Sequence, residues 1–379
     1  MNQIKILTIL GTRPEIIRLS RVMAKLDQYT NHQVVHTGQN YDYELNEIFF
    51  KEMGVRKPDH FLEVDASSLG SVLGETLIKI EAILESEKPD AVLILGDTNS
   101  SIAGIIAKRM KIPIYHMEAG NRSFDFNVPE EVNRRIIDHI ADFNLVYTEH
   151  ARRHLLSEGL PHRNIYLTGS PMNEVLNHFS NNIDSSSVLN QLCLKPSEYI
   201  LVSMHREENV DSTPHLKKLL DCLVSTSKHF KKKILVSTHP RTKKCIESIG
   251  GFEHPDITFA KPFGFFDYNK LQKESFCVLS DSGTITEESS LLRFPAVTIR
   301  QSMERPEGLD TGSIIITGFD VDTILQSIQI VTEQKNSGNC PPAPTDYCVD
   351  NVSDRVLKLI LGTAKLCHRW SGVRVNHER

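Results

Sequence analysis

Short apolar runs rich in β-branched residues recur through the first half of the chain. Such runs are typical of strands that are buried on both faces of a parallel sheet. Between most of them the apolar positions follow helical spacing, as in Glu15–Leu26 and Leu69–Glu85. The alternation predicts a sheet that is covered by helices on both faces. The predicted strands are Ile4–Leu10, Gln33–Thr37, Ala91–Leu95, Ile112–Met117, Asn144–Tyr147 and Ile165–Leu167.

The alternation lapses between Asn173 and Gln191, where Asn and Ser accumulate, and we interpret this stretch as a domain junction. It then begins again, with helices predicted at His215–Lys228, at Ile285–Leu292 and at about 354–366. The predicted fold class is therefore α/β, with two Rossmann-like, doubly wound parallel-sheet domains. The strands predicted for the second domain are Tyr199–Met204, Lys233–Thr238, Ile257–Ala260, Cys277–Leu279, Ala296–Ile299 and Ser313–Thr317.

Length and composition agree with this division. At ~150 residues per domain, 379 residues correspond to two domains, which the pattern places at 1–175 and 190–353. The formal net charge of −5 disfavours a nucleic-acid partner bound through bulk charge. Seven cysteines without a C-x-x-C pair favour free thiols in a reducing compartment. Since the sequence lacks an apolar stretch of ~20 residues, we expect a cytoplasmic protein without a membrane partner.

Polar and glycine-rich loops follow the predicted strands in both domains, and ligands of open α/β sheets bind outside those strand ends. The loop Gly11–Glu15 carries Arg13 at a predicted helix start, and Ser282–Thr284 opens another helix. Free backbone amides at both places are predicted to bind phosphate. Either loop alone also fits a plain strand-to-helix turn. The two together favour a nucleotide diphosphate in a cleft between the domains.

Carboxylates stand at three places in loops of the first domain: Asp97, Glu118 and the pair Glu130-Glu131, of which Glu130 follows Pro129 at a predicted helix start. Asp97 also fits a helix N-cap, and Glu130 a first-turn carboxylate that meets the helix dipole. As a set at one sheet edge, they are better explained as acid–base and charge-stabilising groups. In the second domain His205 and His239 follow neighbouring predicted strands, and we expect phosphate binding or leaving-group stabilisation there.

Fingerprints of several common chemistries are missing. The sequence contains no G-x-G-x-x-G, no G-x-x-x-x-G-K-[ST], no H-E-x-x-H and no G-x-S-x-G. Their absence disfavours a dehydrogenase, a P-loop kinase, a zinc hydrolase and an ordinary serine hydrolase.

An ordered set of motifs resembles the bacterial non-hydrolysing UDP-N-acetylglucosamine 2-epimerases over nearly the whole chain. The set begins with Gly-Thr-Arg-Pro-Glu and includes Pro-Glu-Glu-x-Asn-Arg, His-Arg-Glu-Glu-Asn and Glu-Arg-Pro-Glu. In chain order the motifs occupy residues 11–15, 96–98, 118–120, 129–134, 205–209, 281–283, 287–288 and 304–307.

The resemblance implies a glycosyltransferase-B arrangement, with a C-terminal helix in 354–379 that returns to the first domain before a basic tail. It also implies C2 epimerisation of a UDP-2-acetamido sugar, by elimination of UDP to a 2-acetamidoglycal and re-addition, with no redox cofactor or metal. The implied catalytic residues are Asp97, Glu118, Glu130 and His205, and which carboxylate is the C2 base stays open. The implied UDP or substrate contacts are Arg13, Arg18, Arg134, Tyr268, Ser282, Gly283, Thr284, Glu288 and Arg305.

Within the family, residues 36–47 and 281–290 resemble the UDP-N-acetyl-L-fucosamine synthase branch, which epimerises UDP-2-acetamido-2,6-dideoxy-L-talose for capsule or O-antigen synthesis. Asn40-Tyr41 and Thr284 depart from the glucosamine epimerases, which tend to have Gln-His-Arg and a second glycine there. Arg18 replaces their usual lysine. These departures favour the talosamine sugar.

Several alternatives stay open at this stage. They are a UDP-N-acetylglucosamine/UDP-N-acetylmannosamine 2-epimerase, a glycosyltransferase-B-type UDP-sugar transferase, a hydrolysing epimerase and a non-catalytic UDP-sugar sensor. The resemblance further implies a homodimer.

Overall fold

The computed structural model describes residues 3–38 and 49–373. The chain divides into two compact units: unit 1 is Met1–Asn177 with Thr345–Arg379, and unit 2 is His178–Pro344. The chain therefore re-enters unit 1 at Thr345, ahead of the boundary predicted at 354. The part of the branch motif at 39–47 and the tail from Arg374 lie outside the described residues.

Unit 1 is built on a seven-stranded sheet in the order β3-β2-β1-β4-β5-β6-β7, and its pairings are parallel. The central β4 is buried at all five positions, as its continuous apolar sequence predicts. The strand order reverses between β1 and β4, and the carboxyl ends of strands at such a point form a ligand-binding edge. The strands are β1 (Lys5–Leu10), β2 (Asn31–His36), β3 (His60–Phe61), β4 (Ala91–Leu95), β5 (Ile114–Ala119), β6 (Phe143–Val146) and β7 (Ile165–Leu167).

Unit 2 contains a five-stranded sheet in the order β10-β9-β8-β11-β12, again with parallel pairings. Its strand order reverses between β8 and β11. The strands are β8 (Tyr199–Met204), β9 (Lys233–Thr238), β10 (Ile257–Ala260), β11 (Cys277–Ser280) and β12 (Ala296–Thr298). The α/β class with two parallel-sheet domains is therefore confirmed.

Helices connect the strands of both sheets and cover their apolar faces. In chain order they are α1 (Arg13–Tyr29), α2 (Leu69–Glu87), α3 (Gly104–Arg109), α4 (Pro129–Ile140), α5 (Glu149–Ser157), α6 (Met172–His178), α7 (Ser180–Asp184), α8 (Val188–Gln191), α9 (Glu207–Val210), α10 (Thr213–Phe230), α11 (Pro240–Ser248), α12 (Phe265–Glu274), α13 (Ile285–Leu292), α14 (Glu307–Asp310), α15 (Val321–Asn336), α16 (Val352–Thr363) and α17 (Cys367–Trp370). Within the described residues, 3₁₀ turns lie at Asn99–Ala103, His162–Asn164 and Thr345–Tyr347.

One predicted strand is wrong. Ser313–Thr317 makes a single bridge, between Ile316 and Thr298 of β12. Gly312 and Gly318, with φ of +70° and +58°, bend the chain at both ends of the run, so only one residue pair meets β12. The Asn- and Ser-rich junction also forms the short helices α7 and α8, although its sequence shows little helical periodicity.

The C-terminal helix α16 packs in unit 1, against α1 and β5. Lys25 Nζ lies 3.0 Å from Asp354 Oδ1, and the hydroxyls of Tyr115 and Thr363 are 2.6 Å apart. None of the helices in the described residues is long and apolar enough to cross a lipid bilayer.

Candidate active site

In unit 1, the loop after β4 is the centre of the candidate site. Gly96 turns the chain with a φ of +74°, and Asp97 follows it. A Cβ atom on Gly96 would lie 4.0 Å from Oε2 of Glu118, so the Glu118 carboxylate faces the base of the Asp97 loop. Asp97 and Glu118, singled out from the sequence, are therefore neighbours at one sheet edge.

An arginine from α4 holds the Asp97 carboxylate. Arg134 donates from Nε at 2.9 Å and from Nη2 at 2.5 Å to Oδ2 of Asp97, and from Nη1 at 2.9 Å to Oε2 of Glu131. The Asp97 side chain stays 25% exposed, so it is fixed in place and still open to a ligand. The N-cap interpretation of Asp97 is wrong, because Thr98 is the residue that precedes the 3₁₀ turn.

Glu118 occupies a strained position at the end of β5. The register of β5 against β6 shifts between Met117 and Ala119, and Glu118 has a φ of +63°. Such a bulge re-aims a side chain at the end of a strand. The carboxylate pairs with Arg18, whose side chain is 5% exposed, and accepts a hydrogen bond from Asn121 at 3.3 Å.

Glu130 and Glu131 occupy the first turn of α4 and differ in their surroundings. Glu130 is half-buried, as a first-turn carboxylate near the helix dipole would be. Glu131 is fully buried and accepts from the amide and the hydroxyl of Ser123, both at 3.0 Å. Although burial would raise the pKa of Glu131, the Ser123 amide and the Arg134 charge outweigh it, so this pKa is lowered.

The loop Gly11–Glu15 differs from the predicted phosphate site. The amides of Gly11 and Thr12 donate to Oε2 of Glu15 at 2.5 and 2.7 Å, so they are not free for a ligand. Oε1 of the same buried carboxylate accepts from the hydroxyls of Thr98 and Ser100 at 2.6 and 2.9 Å. Burial raises the pKa of Glu15, against the effect of these hydrogen bonds. Glu15 thus ties the loop after β1 to the loop after β4.

Arg13, which the sequence places in the same loop, is half-buried at the first position of α1. Its guanidinium lies 5.6 Å from the ring centre of Phe49. A cation–π contact of this kind holds an arginine side chain in place.

In unit 2, a buried aspartate orients His205. His205 follows β8 and Asp281 follows β11, the neighbouring strand. The His205 amide donates to Asp281 at 2.9 Å, the Arg206 amide at 3.0 Å, and His205 Nδ1 lies 3.1 Å from Oδ1. Because Asp281 faces Nδ1, the other ring nitrogen of the 39% exposed His205 side chain is directed away from it. His239, after β9, lies 6.2 Å from the His205 ring centre.

The unfolding free energy of the protein is expected to fall as the pH drops from about 4 to about 2. Burial alone would raise the pKa of Asp281, but the His205 ring and the two amides outweigh it and hold this pKa at about 2, below its ordinary value of 3.8. A lowered native pKa stabilises the fold above the unfolded-state pKa, and this stabilisation of ~2 kcal/mol is lost as the pH falls through the native pKa.

Denaturation followed by circular dichroism between about pH 5 and about pH 2 measures this loss. Asp281→Asn removes the titrating group, so the variant is expected to show a shallower acid dependence than the unmodified protein. Equal acid slopes for the two proteins would contradict the assignment.

The loop Ser282–Thr284 keeps its predicted place, at the carboxyl end of β11 and the start of α13. A Cβ atom on Gly283 would lie 3.5 Å from Nη2 of Arg206 and 4.0 Å from Nη1 of Arg300. Two guanidinium groups therefore stand beside the Gly283 backbone. Glu304 holds both of them: it accepts from Arg300 at 2.5 and 2.9 Å and lies 3.7 Å from Arg206. Cations next to a small-residue loop favour an anionic group such as a phosphate.

The other predicted contacts of unit 2 lie near this loop or beneath it. Tyr268 is half-buried against the apolar core, and burial raises the pKa of its hydroxyl, which contacts Ser203. Glu288 is half-buried and accepts from Gln272 Nε2 at 2.6 Å. Arg305 is 4% exposed and pairs with the buried Glu287 at 2.6 Å.

The sequence reasoning did not single out several residues that organise the site. They are Glu15, Asp281, Arg300 and Glu304. Asp281 had a detectable signal, since it follows β11 as Asp97 follows β4. The other three looked like helix-terminal or loop charges. Arg300 and Glu304 pair with each other four residues apart, whereas Glu15 also accepts from the distant Thr98 and Ser100, which local sequence does not show.

Relatives of this chain are UDP-sugar 2-epimerases, and the chain is accordingly an isomerase. More narrowly, it belongs to the UDP-N-acetylglucosamine 2-epimerase family, whose model matches residues 24–361. The family predicted from the sequence motifs is thereby confirmed.

Solved structures and a curated relative agree with the assignment. The structure of UDP-N-acetylglucosamine 2-epimerase from Rickettsia bellii is 47% identical, with a TM-score of 0.92, and the match covers 98% of this chain and 100% of that chain. The Methanocaldococcus jannaschii UDP-GlcNAc 2-epimerase, solved in complex with UDP-GlcNAc and UDP, is 31% identical with a TM-score of 0.89, over 95% and 100% of the two chains. A UDP-2,3-diacetamido-2,3-dideoxy-D-glucuronate 2-epimerase of Pseudomonas aeruginosa is 34% identical over 328 residues, 85% of this chain and 91% of the relative.

Proposed function

We propose that this chain epimerises C2 of a UDP-2-acetamido sugar, with UDP-2-acetamido-2,6-dideoxy-L-talose as the substrate and UDP-N-acetyl-L-fucosamine as the product. The observation that carries the reaction type is the pair Asp97 and Glu118, two carboxylates at one sheet edge, each held by an arginine. An epimerase needs such groups, since a proton leaves C2 on one face and returns on the other.

The chemistry requires a leaving group, because C2 of an amino sugar has no adjacent carbonyl to acidify its proton. A base takes the C2 proton while the C1–O bond breaks, and UDP leaves with the bonding electron pair. The product is a 2-acetamidoglycal. Addition of UDP at C1, with protonation of C2 on the opposite face, gives the epimer. Positive charge develops at C1 during bond breaking, and nearby carboxylates stabilise it.

The roles follow from the contacts in each unit. In unit 1, Asp97, Glu118 and Glu130 supply acid–base and charge-stabilising groups. Arg134 holds the carboxylate of Asp97, and Arg18 holds that of Glu118. In unit 2, His205 meets the departing diphosphate with the ring nitrogen that does not face Asp281.

UDP binding is assigned to residues that the family resemblance implies, most of which lie in unit 2 near the Ser282–Thr284 loop. Ser282, Gly283 and Thr284 bind the diphosphate beside the guanidinium groups of Arg206 and Arg300. Glu288 binds the ribose hydroxyls, Tyr268 the uracil, and Arg13 and Arg305 complete the UDP contacts.

Two residues of the candidate site, Arg18 and Thr284, favour the 6-deoxy-talose sugar. Arg18 pairs with Glu118 directly, where the glucosamine epimerases have lysine, and a planar guanidinium fixes a carboxylate differently from an ammonium. Thr284 places a methyl and a hydroxyl where those enzymes have glycine, and its hydroxyl lies 3.0 Å from that of Ser282. The Pseudomonas aeruginosa relative, named for a different sugar, supports substrate variation in this family. UDP-N-acetylglucosamine, named for the other two proteins, is the second candidate.

Proton NMR of the protein with each UDP-sugar alone in deuterated water tests the reaction and the sugar together. Conversion of the 6-deoxy-talose derivative is expected, with deuterium incorporated at C2, because the C2 proton exchanges with solvent at the glycal stage. UDP-N-acetylglucosamine is the matched comparison, and faster conversion of that sugar would replace the proposed substrate.

Other outcomes of the same experiment contradict the reaction itself. An epimer without deuterium at C2 would exclude proton removal by exchangeable groups. Release of free sugar and UDP would identify a hydrolysing enzyme. Absence of any product until an acceptor sugar is added would identify a glycosyltransferase.

We also propose a homodimer, as the resemblance implies. Two helices of unit 1 carry apolar side chains in contact with water: Ile78 of α2 is 70% exposed, and Val132 of α4 is 46% exposed. Only contiguous apolar patches mark subunit interfaces, so the proposal rests on the resemblance, and these side chains are the first candidates for the contact. Light scattering of the purified protein is expected to give twice the chain mass of 42.9 kDa, and the mass of a single chain would contradict the proposal.

A further inference from the structure

One fully buried carboxylate, Asp138 of α4, lies beneath the loops that carry Asp97 and Glu118. Groups from three positions around β5 converge on it. The Gly120 amide donates to its two oxygens at 3.1 and 3.3 Å, Arg122 Nη1 donates at 2.6 Å, and His116 Nδ1 lies 2.9 Å from Oδ1. A carboxylate that is excluded from water holds the amide and guanidinium donors in fixed positions, and the His116 ring packs in direct contact with it.

The contact with Gly120 acts on Glu118. A non-glycine residue with the φ of Glu118, +63°, costs ~1–2 kcal/mol, and such a conformation persists where the surrounding structure holds it. Gly120 lies two residues further along, with a φ of +81°, and a Cβ atom there would come within 2.4 Å of the Ala151 carbonyl oxygen. Asp138 anchors the amide of this closely packed residue and thereby the bulge that aims Glu118.

The contact with His116 acts on Asp97. His116 is fully buried in β5, and its Nε2 donates to the Gly96 carbonyl oxygen at 2.8 Å. Gly96 immediately precedes Asp97 and has a φ of +74°. The imidazole ring therefore links Asp138 to the turn that presents Asp97.

We propose that Asp138 is a positioning residue for the epimerisation: through Gly120 it fixes Glu118, and through His116 it fixes Asp97, so that the two carboxylates keep one relative placement. The proposal rests on the proposed function, because it concerns the geometry of the acid–base groups. Asp138 has no exposed surface, so the role assigned to it is positioning and not contact with the substrate. A displacement of ~1 Å between reacting groups costs up to ~100-fold in rate, which sets the scale of the effect.

The test compares Asp138→Asn with the matched control Asp142→Asn. Asp142 performs the equivalent structural task at the opposite end of β5, where it accepts from the Ile114 amide at 3.0 Å and from Lys108 at 2.6 Å. Each variant loses one carboxylate that holds a strand-end amide and a cation. Only Asp138 is linked to the loops of Asp97 and Glu118.

Steady-state kinetics, UDP binding and hydrogen–deuterium exchange are measured on both folded variants. Asp138→Asn is expected to lower kcat at least ~10-fold, with KM and UDP affinity within ~2-fold of the unmodified protein. Amide exchange in the segments 96–98 and 118–122 is expected to accelerate. Asp142→Asn is expected to lower the thermal midpoint with unchanged kcat and unchanged exchange in these segments. If Asp138→Asn does not fold, His116→Phe keeps the ring volume, removes the Gly96 contact and takes the same tests.

Several outcomes overturn the proposal. The proposal fails if Asp138→Asn shows the same amide exchange in 96–98 and 118–122 as the Asp142→Asn control. It also fails if the two variants have equal kcat, or if Asp138→Asn raises KM at constant kcat. Absence of epimer formation by the unmodified protein refutes the proposed function instead. In that case the exchange comparison, which needs no activity, still decides whether Asp138 positions the two loops.

Discussion

Replacing Asp97 by asparagine is expected to lower kcat at least ~100-fold, the typical contribution of one acid–base group. Asparagine keeps the size of the side chain, and its carbonyl oxygen still accepts from Arg134, which now donates to Oδ2 at 2.5 and 2.9 Å. The variant loses the negative charge and the ability to take or give a proton. Because the proposed UDP contacts other than Arg13 belong to unit 2, and Asp97 is not one of them, the affinity for UDP is expected to stay within ~2-fold.

Turnover of the UDP-sugar, followed by NMR, and calorimetric titration with UDP measure these two effects. Asp59→Asn is the matched control, since Asp59 also accepts from an arginine, Arg56 at 2.7 Å, and from a strand amide, Val34 at 2.7 Å. That control is expected to keep its kcat. A kcat of Asp97→Asn close to that of the control would remove Asp97 from the proposed acid–base set.

The sequence pattern predicted the strands of both sheets well, because short continuous apolar runs in a chain of this size form few structures other than buried strands. Apart from Ser313–Thr317, each predicted run contains or overlaps a strand of the structure. The two-residue strand β3 was missed, because His60–Phe61 is too short to show a period. Local pattern cannot distinguish an extended segment that makes one bridge from a strand, since that difference depends on where the glycines at its ends direct the chain.

The site was predicted as a set of loops, and its contacts were not. Polar residues after parallel strands predict a ligand-binding edge, and the structure has Asp97, Glu118, His205 and the Ser282–Thr284 loop at such strand ends. Their partners are set by tertiary packing: Arg18 reaches Glu118 across 100 positions of sequence, and Glu15 reaches Ser100 across 85. The occupation of the Gly11 and Thr12 amides by Glu15 has a local origin, because Glu15 stands at the capping-box position three residues after Thr12. That spacing is readable from the sequence and distinguishes an internally capped helix start from a free one.

Glu118 carries a proposed catalytic carboxylate on a strained backbone, and different substitutions are expected to report on each of these two properties. Glu118→Gln is expected to lower kcat at least ~100-fold, because the side chain keeps its length and loses its charge. Measured as for Asp97, an activity within ~3-fold of the unmodified protein would contradict a catalytic role for this carboxylate.

Two variants that both lack the Glu118 carboxylate, Glu118→Gly and Glu118→Ala, measure the cost of the left-handed backbone at this position through their free energies of unfolding. Glycine in a strand or helix interior is ordinarily ~0.5–1 kcal/mol less stabilising than alanine. At the φ of Glu118, +63°, the order is expected to reverse, with Glu118→Gly ~1 kcal/mol more stable than Glu118→Ala in urea denaturation. Glu81, exposed in the middle of α2, is the control position, where alanine is expected to be the more stable substitution.

The reversal distinguishes two explanations of the bulge in β5. If the alanine variant at position 118 is the more stable of the two, the left-handed backbone is not retained once the carboxylate is gone, and the ion pair with Arg18 is what holds it. If the glycine variant is the more stable, the surrounding contacts impose the conformation independently of the side chain. The fold then accepts a permanent cost at this residue because the strained turn places the Glu118 carboxylate beside the Asp97 loop, where the proposed reaction needs it.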